Sequence, residues 1–399
     1  MDKLEVMEAE NRFTAAVYAK RPIVISQGRG ASLWDIDGKE YIDCTGSYGQ
    51  CVVGYGHPKI VEAIKEQAEK LSSCHGYAYN EARAKLAEKL VEISPKGLDR
   101  VFLSNSGAEA VECALKLARK YTGKRETIAM VGGYHGKTMG ALSATWNRKY
   151  RDSFQPLLPG FIHVPYGDVE KVEKAITEDT GSVIVEPIQG ENGVRIPPEN
   201  YLKELRELCD RKKVLLIFDE IQTGFGRTGK IFACEHWKVT PDILCLAKGL
   251  AGGLPIGVTM AKDEIMSSLS IGEHTSTYGG NPITAAAASA AIDVLLEERL
   301  PARALELGEH FLSELKDMER TFRIVREARG LGLMLALELR FDVHDIIMKA
   351  MDKGVLILDA GRTVLRFLPP LVITREQLNR VAAVLREIVE GKNLEVNFP

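Results

Sequence analysis

The chain has 399 residues, of which 45% are hydrophobic, and a formal net charge of −3. This length allows two or three domains with a large core, and the composition is typical of a soluble globular protein. Lysines and arginines are scattered, which argues against nucleic acid or an anionic membrane surface as a partner, and the longest apolar stretch, residues 285–296, is too short to cross a membrane.

The seven cysteines are widely spaced and contain no C-x-x-C pair, and the eight histidines lack the spacing of metal ligands. We therefore expect buried thiols, no disulfides and no metal site. The first ten residues are acidic and lack the apolar core of a signal peptide. These features predict a cytoplasmic protein.

The N-terminal part predicts a hairpin followed by a helix. In "SLWDIDGKEYID", residues 32–43, the turn dipeptide Asp37-Gly38 separates two half-apolar runs, which is the pattern of a β-hairpin. In "PKIVEAIKEQAEKL", residues 58–71, apolar side chains recur at helical spacing.

From about residue 100, short apolar runs alternate with helical patterns such as "YLKELRELC". The runs are "RVFLS", "TIAMV", "SVIVEP", "VLLIFDE" and "DILCLA". Uninterrupted apolar strands separated by helices predict a mostly parallel central sheet with helices on both faces, so we expect an α/β fold.

The pattern changes after "STYGGNP", residues 276–282. We predict a long helix over residues 284–299, strands within "IVREARGLGLMLALELR" and a capped amphipathic helix at "TREQLNRVAAVLREIV". Three parts follow from this: an N-terminal segment, 1–45, that packs on the last part; a large domain, 46–284; and a smaller C-terminal α+β domain, 285–399.

Two stretches come close to a phosphate-binding P-loop, but neither fits the pattern. In "VGGYHGKTMG" only three residues separate Gly132 from the Gly136-Lys137 pair, and the pattern needs four. In "GFGRTGKI" the spacing is right, but Ile231 stands where a magnesium-binding Ser or Thr belongs. A P-loop nucleotide switch is therefore disfavoured.

Residues that follow the apolar runs are the candidates for chemistry, because ligands of an open parallel sheet bind beyond the carboxyl ends of its strands. Ser106 and Glu109 have the spacing of a capping box, so a helix starts near Gly107 and offers free amides to a phosphate. Asp219 closes a buried strand, and Lys248 follows the next one. Taken singly, these can be a capped helix, a structural carboxylate and a surface lysine.

Together they match the needs of pyridoxal 5′-phosphate. The helix amides hold the phosphate, the aspartate keeps the pyridine nitrogen protonated, and a lysine among apolar groups becomes a nucleophile that joins the cofactor. A flexible Gly-rich loop follows the lysine, as such a site requires.

The same residues belong to a longer series of motifs: "LWDIDGKEYID", "GYGHP", "SNSGAEA", "YHGKT", "EPIQGE", "DEIQTGFGRTGK", "LAKGLAGGLPIG", "STYGGNP" and "LRFLPPL". Through them the chain resembles the class III, ornithine-type pyridoxal-phosphate aminotransferases, of fold type I (aspartate-aminotransferase-like), nearly end to end. Within this class it is most similar to acetylornithine and carrier-linked lysine or ornithine aminotransferases. "GALSATWNRKYRDSFQPLLPG" and "VLRFLPPLVIT" are especially similar to enzymes whose substrates are attached to the acidic carrier protein LysW.

The resemblance implies a role for each cofactor-binding residue. Lys248 and Asp219 would be catalytic, the first as the cofactor's covalent attachment and the second as the partner of its ring nitrogen. Tyr134 would stack on the ring, and Gln222 would contact its hydroxyl. In the family, Thr277 reaches the phosphate of the neighbouring subunit, which implies a homodimer. The remaining expected cofactor contacts are Ser106, Gly107, Ala108 and Glu220.

The resemblance also implies an amino transfer from a terminal amine to 2-oxoglutarate, giving a semialdehyde and glutamate in lysine or arginine biosynthesis. Arg366 would bind the α-carboxylate of glutamate, and Glu191 would neutralise it when an ω-amino donor occupies the site. Ser276 would lie near the substrate. Lys137 stands where close relatives have an arginine that binds the donor's far carboxylate, so the resemblance leaves the donor open.

Alternatives remain open at this point. The nearest are a free ornithine or 4-aminobutyrate aminotransferase, while an aminomutase or racemase shares the fold and the lysine but consumes no 2-oxoglutarate. The carrier-linked version predicts a basic surface at the mouth of the site.

Overall fold

The computed structural model describes residues 1–395. Its strands are β1 (Ile25–Arg29), β2 (Ser32–Asp35), β3 (Glu40–Asp43), β4 (Arg100–Ser104), β5 (Glu126–Met130), β6 (Phe161–Val164), β7 (Thr180–Val185), β8 (Leu215–Asp219), β9 (Ile243–Leu246), β10 (Gly257–Ala261), β11 (Val325–Leu331), β12 (Met334–Leu339), β13 (Val355–Leu356), β14 (Leu358–Asp359) and β15 (Val364–Phe367).

The helices connect these strands and cover the sheets. They are α1 (Lys3–Phe13), α2 (Gly46–Gly49), α3 (Pro58–Lys70), α4 (Glu81–Ile93), α5 (Gly107–Thr122), α6 (Met139–Ala144), α7 (Arg148–Arg151), α8 (Val169–Ala175), α9 (Tyr201–Lys212), α10 (Cys234–Trp237), α11 (Asp263–Met266), α12 (Pro282–Glu297), α13 (Leu300–Thr321), α14 (His344–Asp352) and α15 (Arg375–Glu395). Short 3₁₀ turns lie at Asp152–Phe154 and Lys248–Ala251.

A seven-stranded sheet with the order β4-β10-β9-β8-β7-β5-β6 forms the centre of the molecule. Strands β5 to β9 pair in parallel, and β10 runs antiparallel to both of its neighbours. All five apolar runs form strands of this sheet, so the prediction of a mostly parallel α/β fold is confirmed. The sequence analysis missed β6 and the antiparallel β10.

Helices cover both faces of the central sheet. Ile184 and Ile217 pack with apolar residues of α5, whereas their chain neighbours Val183 and Leu216 belong to the cluster on the other face, which includes Leu205 of α9. Because successive side chains of a strand point to opposite faces, an apolar run without polar interruption is what two covered faces require.

The two ends of the chain form smaller sheets. Strands β2 and β3 form the predicted hairpin, and β3 pairs in parallel with β13, so residues before 45 share a sheet with residues after 350. Strands β11, β12, β15 and β14 form a second small sheet. The three-part domain division stays a prediction, and its last four residues, 396–399, lie outside the described residues.

The long helix before the C-terminal part begins at Pro282 rather than at the expected residue 284. The side-chain Oδ1 of Asn281 accepts hydrogen bonds from the amides of Ile283 and Thr284, and proline is favoured in the first turn because it has no amide to satisfy. Within residues 1–395, no helix combines the length and the apolar character that a membrane span needs.

Candidate active site

A cavity of about 500 Å³ lies at the carboxyl ends of the central strands. Asp219 is the last residue of β8, and Lys248 follows β9 by two residues, so the parallel order of these strands brings both side chains to one edge of the sheet. The cavity is lined by nine of the predicted site residues: Ser106, Gly107, Ala108, Tyr134, Lys137, Glu191, Asp219, Gln222 and Lys248.

The N-terminus of α5 forms one wall of the cavity. Ser106 caps the helix, since its Oγ accepts a hydrogen bond from the amide of Glu109 at 3.2 Å, while the Glu109 carboxylate accepts one from the amide of Asn105 at 2.5 Å. The amides of Gly107 and Ala108 donate no hydrogen bond within residues 1–395. Two free amides at the positive end of a 16-residue helix can bind a phosphate.

Three buried ionisable residues, His135, Asp219 and Glu186, lie next to one another along the cavity. Nδ1 of His135 lies 2.7 Å from Oδ2 of Asp219, whose Oδ1 accepts the amide of Ile221 at 3.1 Å. Burial alone would lower the pKa of His135, but the hydrogen bond and charge of Asp219 outweigh it and the pKa is raised. A raised pKa favours the protonated form of the His135 ring beside the Asp219 carboxylate. A carboxylate in this position can pair with the protonated nitrogen of a pyridine ring.

Glu186 is the third of these buried ionisable residues. Its carboxylate accepts the amides of Tyr134, at 3.0 Å, and Gly190, at 3.3 Å. Burial raises its pKa to about 7, with the charge of His135 acting in the opposite direction. Glu186 thus holds the loop of Tyr134 while adding negative charge beside His135.

Lys248 projects into the cavity from a strained turn. Its φ is +30°, in a region that non-glycine residues rarely adopt. Burial lowers the pKa of the Lys248 amine, although the charge of Glu191 partly opposes this effect. A lowered pKa increases the fraction of neutral amine, which is the nucleophilic form.

The loop after β5 brings an aromatic ring and a cation to the cavity. Tyr134 lines it, and burial followed by the charge of Glu191 raises its pKa to about 12, so the phenol stays neutral. Its ring packs edge-on against Tyr150, with 5.8 Å between centroids. The amine of Lys137 lies 4.9 Å from the centroid of the same Tyr150 ring.

Glu191, a lining residue of the cavity, forms an ion pair with Arg366, which is not a lining residue. Nη1 of Arg366 donates to Oε1 of Glu191 at 2.6 Å and to Oε1 of Gln222 at 3.4 Å. The Arg366 side chain is fully buried, and its Nε and Nη2 have no hydrogen-bond partner in the described part of the chain. Burial would raise the pKa of Glu191, but the charges of Arg366 and Lys248 outweigh it and the pKa is lowered.

The structure does not bring Glu220 to the cavity, which corrects the expectation that it binds the cofactor. Its carboxylate is buried on the opposite side of the strand end and accepts the amides of Ala233 and Cys234, at 2.5 and 2.8 Å, and the hydroxyl of Thr223, at 3.0 Å. Consecutive residues of an extended strand point in opposite directions, so Asp219 and Glu220 cannot both face the ligand.

Ser276 and Thr277 lie outside the cavity of their own chain. Ser276 accepts a hydrogen bond from Nδ2 of Asn105 at 3.1 Å, and Asn105 is a lining residue. Thr277 is exposed.

Three residues beside the cavity were not singled out from the sequence: His135, Glu186 and Tyr48. Glu186 follows the strand run "SVIVEP" directly, so the same strand-end rule that gave Asp219 would have found it. Tyr48, whose ring faces the Arg366 guanidinium at 5.8 Å, lies in the left-handed region at φ +59°, which the sequence does not reveal.

The arrangement fits pyridoxal phosphate. Free helix amides can hold its phosphate, Asp219 can pair with its ring nitrogen, and Lys248 can attach to its carbonyl carbon. Gly136 permits the close packing of these walls, because a Cβ there would lie 2.8 Å from Cβ of Ala108.

Comparisons with known proteins agree with this geometry. The family described as "Aminotransferase class-III" matches residues 13–389. The chain is 49% identical to an acetylornithine aminotransferase of Methanopyrus kandleri, covering 97% of this chain and 100% of that one, and 45% identical to an acetylornithine aminotransferase of Methanocaldococcus jannaschii, covering 96% and 97%. The crystal structure of the ornithine aminotransferase from Toxoplasma gondii ME49 superimposes with a TM-score of 0.95 at 36% identity, covering 99% of this chain and 97% of that one. The chain therefore belongs to the class III aminotransferases, enzymes that depend on pyridoxal 5′-phosphate.

Proposed function

We propose that the chain is an ω-aminotransferase that moves the terminal amino group of acetylornithine to 2-oxoglutarate, producing a semialdehyde and glutamate in arginine biosynthesis. The names of the two curated relatives support acetylornithine as the donor. The observation that carries the proposal is the ion pair between Glu191, which lines the cavity, and the buried Arg366.

This ion pair suits an enzyme that alternates between two kinds of substrate. With glutamate or 2-oxoglutarate, Glu191 swings away and Arg366 binds the α-carboxylate. The Nη1 that Glu191 vacates and Nη2, which has no partner in the described residues, offer a two-pronged contact. With a terminal amine, no α-carboxylate reaches Arg366, and Glu191 neutralises the arginine. One pocket thereby accepts both substrates without leaving a buried charge unpaired.

Lys248 and Asp219 carry the chemistry that the substrates share. When bound, the cofactor supplies an electron sink for the negative charge that develops on the substrate carbon. Lys248 takes the proton from the amino-bearing carbon, and its lowered pKa increases the share of the neutral amine that can act as this base. Asp219, held by His135, would pair with the cofactor's ring nitrogen. Tyr134 would pack on the ring and Gln222 would contact its hydroxyl, since both line the same cavity.

Lys137 is the proposed site for the donor's far carboxylate. Its amine forms no ion pair or hydrogen bond among the described residues, so its charge is available at the mouth of the cavity. A lysine attracts the carboxylate as a point charge, whereas an arginine would orient it.

We further propose a homodimer in which Thr277 reaches the partner's phosphate site and Ser276 lies near its substrate. The segment of Thr277 contacts the segment after α3 through Asn281, whose Nδ2 donates to the carbonyl of Ser72 at 2.8 Å. Large side chains are exposed along both segments, with Tyr79 and Ile271 fully exposed. A second copy would cover such apolar surface.

Carrier-linked lysine or ornithine is the second candidate donor, and one observation favours it. Helix α7 presents Arg148, Lys149 and Arg151 around Tyr150, whose ring contacts Lys137 at the mouth of the cavity. A basic surface at this place suits an acidic carrier such as LysW.

The experiment that tests the function uses purified holoenzyme and each donor in turn. Borohydride should fix the cofactor to Lys248, and acetylornithine should bleach the cofactor's absorption band, which 2-oxoglutarate then restores. Ornithine, 4-aminobutyrate and carrier-linked lysine serve as competing donors. Turnover without 2-oxoglutarate would indicate an aminomutase or racemase, and full turnover by Lys248→Ala would refute the mechanism.

A further inference from the structure

Glu191 lies at the tip of a tight loop formed by residues 189–195. Two backbone hydrogen bonds between Gln189 and Arg195, of 3.0 and 3.1 Å, close the loop. Behind Glu191, Gly193 and Val194 have φ of +90° and +52°. A buried β-branched residue in the left-handed region is strained, and it keeps this conformation only where its surroundings hold it.

Arg329 on β11 holds the loop at these two residues. Its Nε and Nη2 donate to the carbonyl of Gly193 at 2.9 and 2.6 Å, and Nε also donates to the carbonyl of Val194 at 3.2 Å. Its Nη1 donates to Glu338 at 2.8 Å and to Glu327 at 2.7 Å, which fixes the guanidinium. A Cβ at Gly193 would lie 3.1 Å from Nη2, so the glycine allows the close approach.

The small C-terminal sheet therefore contacts the loop in two different ways. Arg366 on β15 pairs in register with Ala336 of β12, two residues from Glu338 on the same strand. Its contact with Glu191 joins two side chains, and a substrate carboxylate can replace it. Arg329 instead donates to backbone carbonyls of the loop itself, so its contacts do not depend on where the Glu191 side chain points.

We propose that Arg329 is a positioning residue that fixes the backbone of loop 189–195, so that only the Glu191 side chain moves between the two half-reactions. This inference rests on the proposed function of Glu191 and Arg366. Without the hydrogen bonds from Arg329 to the carbonyls of Gly193 and Val194, the loop relaxes from its strained conformation and Glu191 no longer reaches Arg366. The terminal-amine half-reaction then suffers, because Arg366 is left unneutralised, while the glutamate half-reaction, which needs Arg366 free, does not.

The experiment compares Arg329→Lys with Arg326→Lys in the holoenzyme. Lysine keeps the positive charge but lacks the planar guanidinium whose N–H groups donate to both carbonyls. Arg326 is the matched control, because it lies on the same strand and its Nη1 forms an ion pair with Oε1 of Glu338 at 3.1 Å. Its side chain is 65% exposed and contacts Glu338 rather than the loop. The absorbance change of each half-reaction gives kcat/KM for acetylornithine and for glutamate, and hydrogen exchange of residues 189–195 reports the loop.

In Arg329→Lys, we expect the ratio of kcat/KM for acetylornithine to that for glutamate to fall by about tenfold or more. Amide exchange in the loop should accelerate, and Arg326→Lys should leave both readouts unchanged. If Arg329→Lys fails to fold, Glu338→Gln, which removes the carboxylate that orients Arg329, should lower the same ratio.

Glu191→Ala, measured in parallel, separates the two proposals. If Glu191→Ala lowers the ratio but Arg329→Lys reduces both half-reactions equally, Arg329 is merely structural and the inference is wrong, while the proposed function stands. If Glu191→Ala leaves the ratio unchanged, the proposed role of Glu191 fails and the inference fails with it.

Discussion

Replacing Arg366 with lysine separates the two half-reactions most directly. Lysine keeps the positive charge beside Glu191, so the buried carboxylate is not left unpaired. It cannot reproduce the two-pronged contact of Nη1 and Nη2 that we assign to the α-carboxylate of glutamate.

The structure sets the size of the expected effect. A charge-assisted hydrogen bond contributes about 1.5–3 kcal/mol, and lysine retains one such contact where arginine makes two. The loss of one contact lowers kcat/KM for glutamate by about 10- to 100-fold. The acetylornithine half-reaction, in which Glu191 covers Arg366, should change by less than about threefold, since an ion pair is kept.

Single-turnover absorbance measurements of each half-reaction test this expectation. Arg362→Lys is the matched control, because Arg362 lies four residues away, is 86% exposed and pairs with Asp342 at the surface. Comparable losses with glutamate and acetylornithine in Arg366→Lys would show that Arg366 does not distinguish the substrates, and the assignment of its guanidinium to the α-carboxylate would be wrong.

Three further predictions concern the cavity mouth, one helix and pH. Lys137→Arg should lower the KM for acetylornithine and Lys137→Ala should raise it, each by about fivefold, because a surface ion pair contributes about 1 kcal/mol or less; unchanged KM values in both variants would exclude Lys137 as the carboxylate site. Glu112→Ala should lower the free energy of unfolding in urea by about 2 kcal/mol. The Glu112 carboxylate accepts hydrogen bonds from the amides of Gly140 and Ala141 at the start of α6, at 2.8 and 3.1 Å, and the variant loses both. An unchanged urea midpoint would contradict this. Burial lowers the pKa of His163 from 6.5 to about 4. Below pH 6.5 the unfolded chain therefore binds this proton more readily than the folded one, and the free energy of unfolding falls by at most about 3 kcal/mol as the pH drops towards 4. His163→Phe should remove this part of the pH dependence of the urea midpoint, and an identical dependence in both proteins would refute it.

The position of Asp219 and Lys248 could be predicted because it follows from topology. Apolar runs without polar interruption indicate parallel strands, and the carboxyl ends of parallel strands lie at one edge. Both side chains do line one cavity. The capping-box spacing of Ser106 and Glu109 predicted the helix start near Gly107, where α5 begins. The chemical roles of these residues remain predictions that the experiments above test.

Other parts of the site could not be predicted because they depend on tertiary structure. Glu220 was assigned to the cofactor by its neighbour in sequence, although the alternation of a strand turns it the other way. His135 gained its role from a contact with Asp219, 84 residues away. Arg329 is joined to Gly193 across 136 residues, and no local pattern indicates that pair.

The backbone at Lys248 has a consequence for the evolution of this protein. A non-glycine residue at φ +30° costs the native state about 1–3 kcal/mol, and burying the amine adds to that cost. Folding alone would thus favour glycine at this position, and selection for heat resistance without selection for activity should discard the lysine first. The persistence of Lys248 in a lineage is therefore a sign that catalysis is still under selection there.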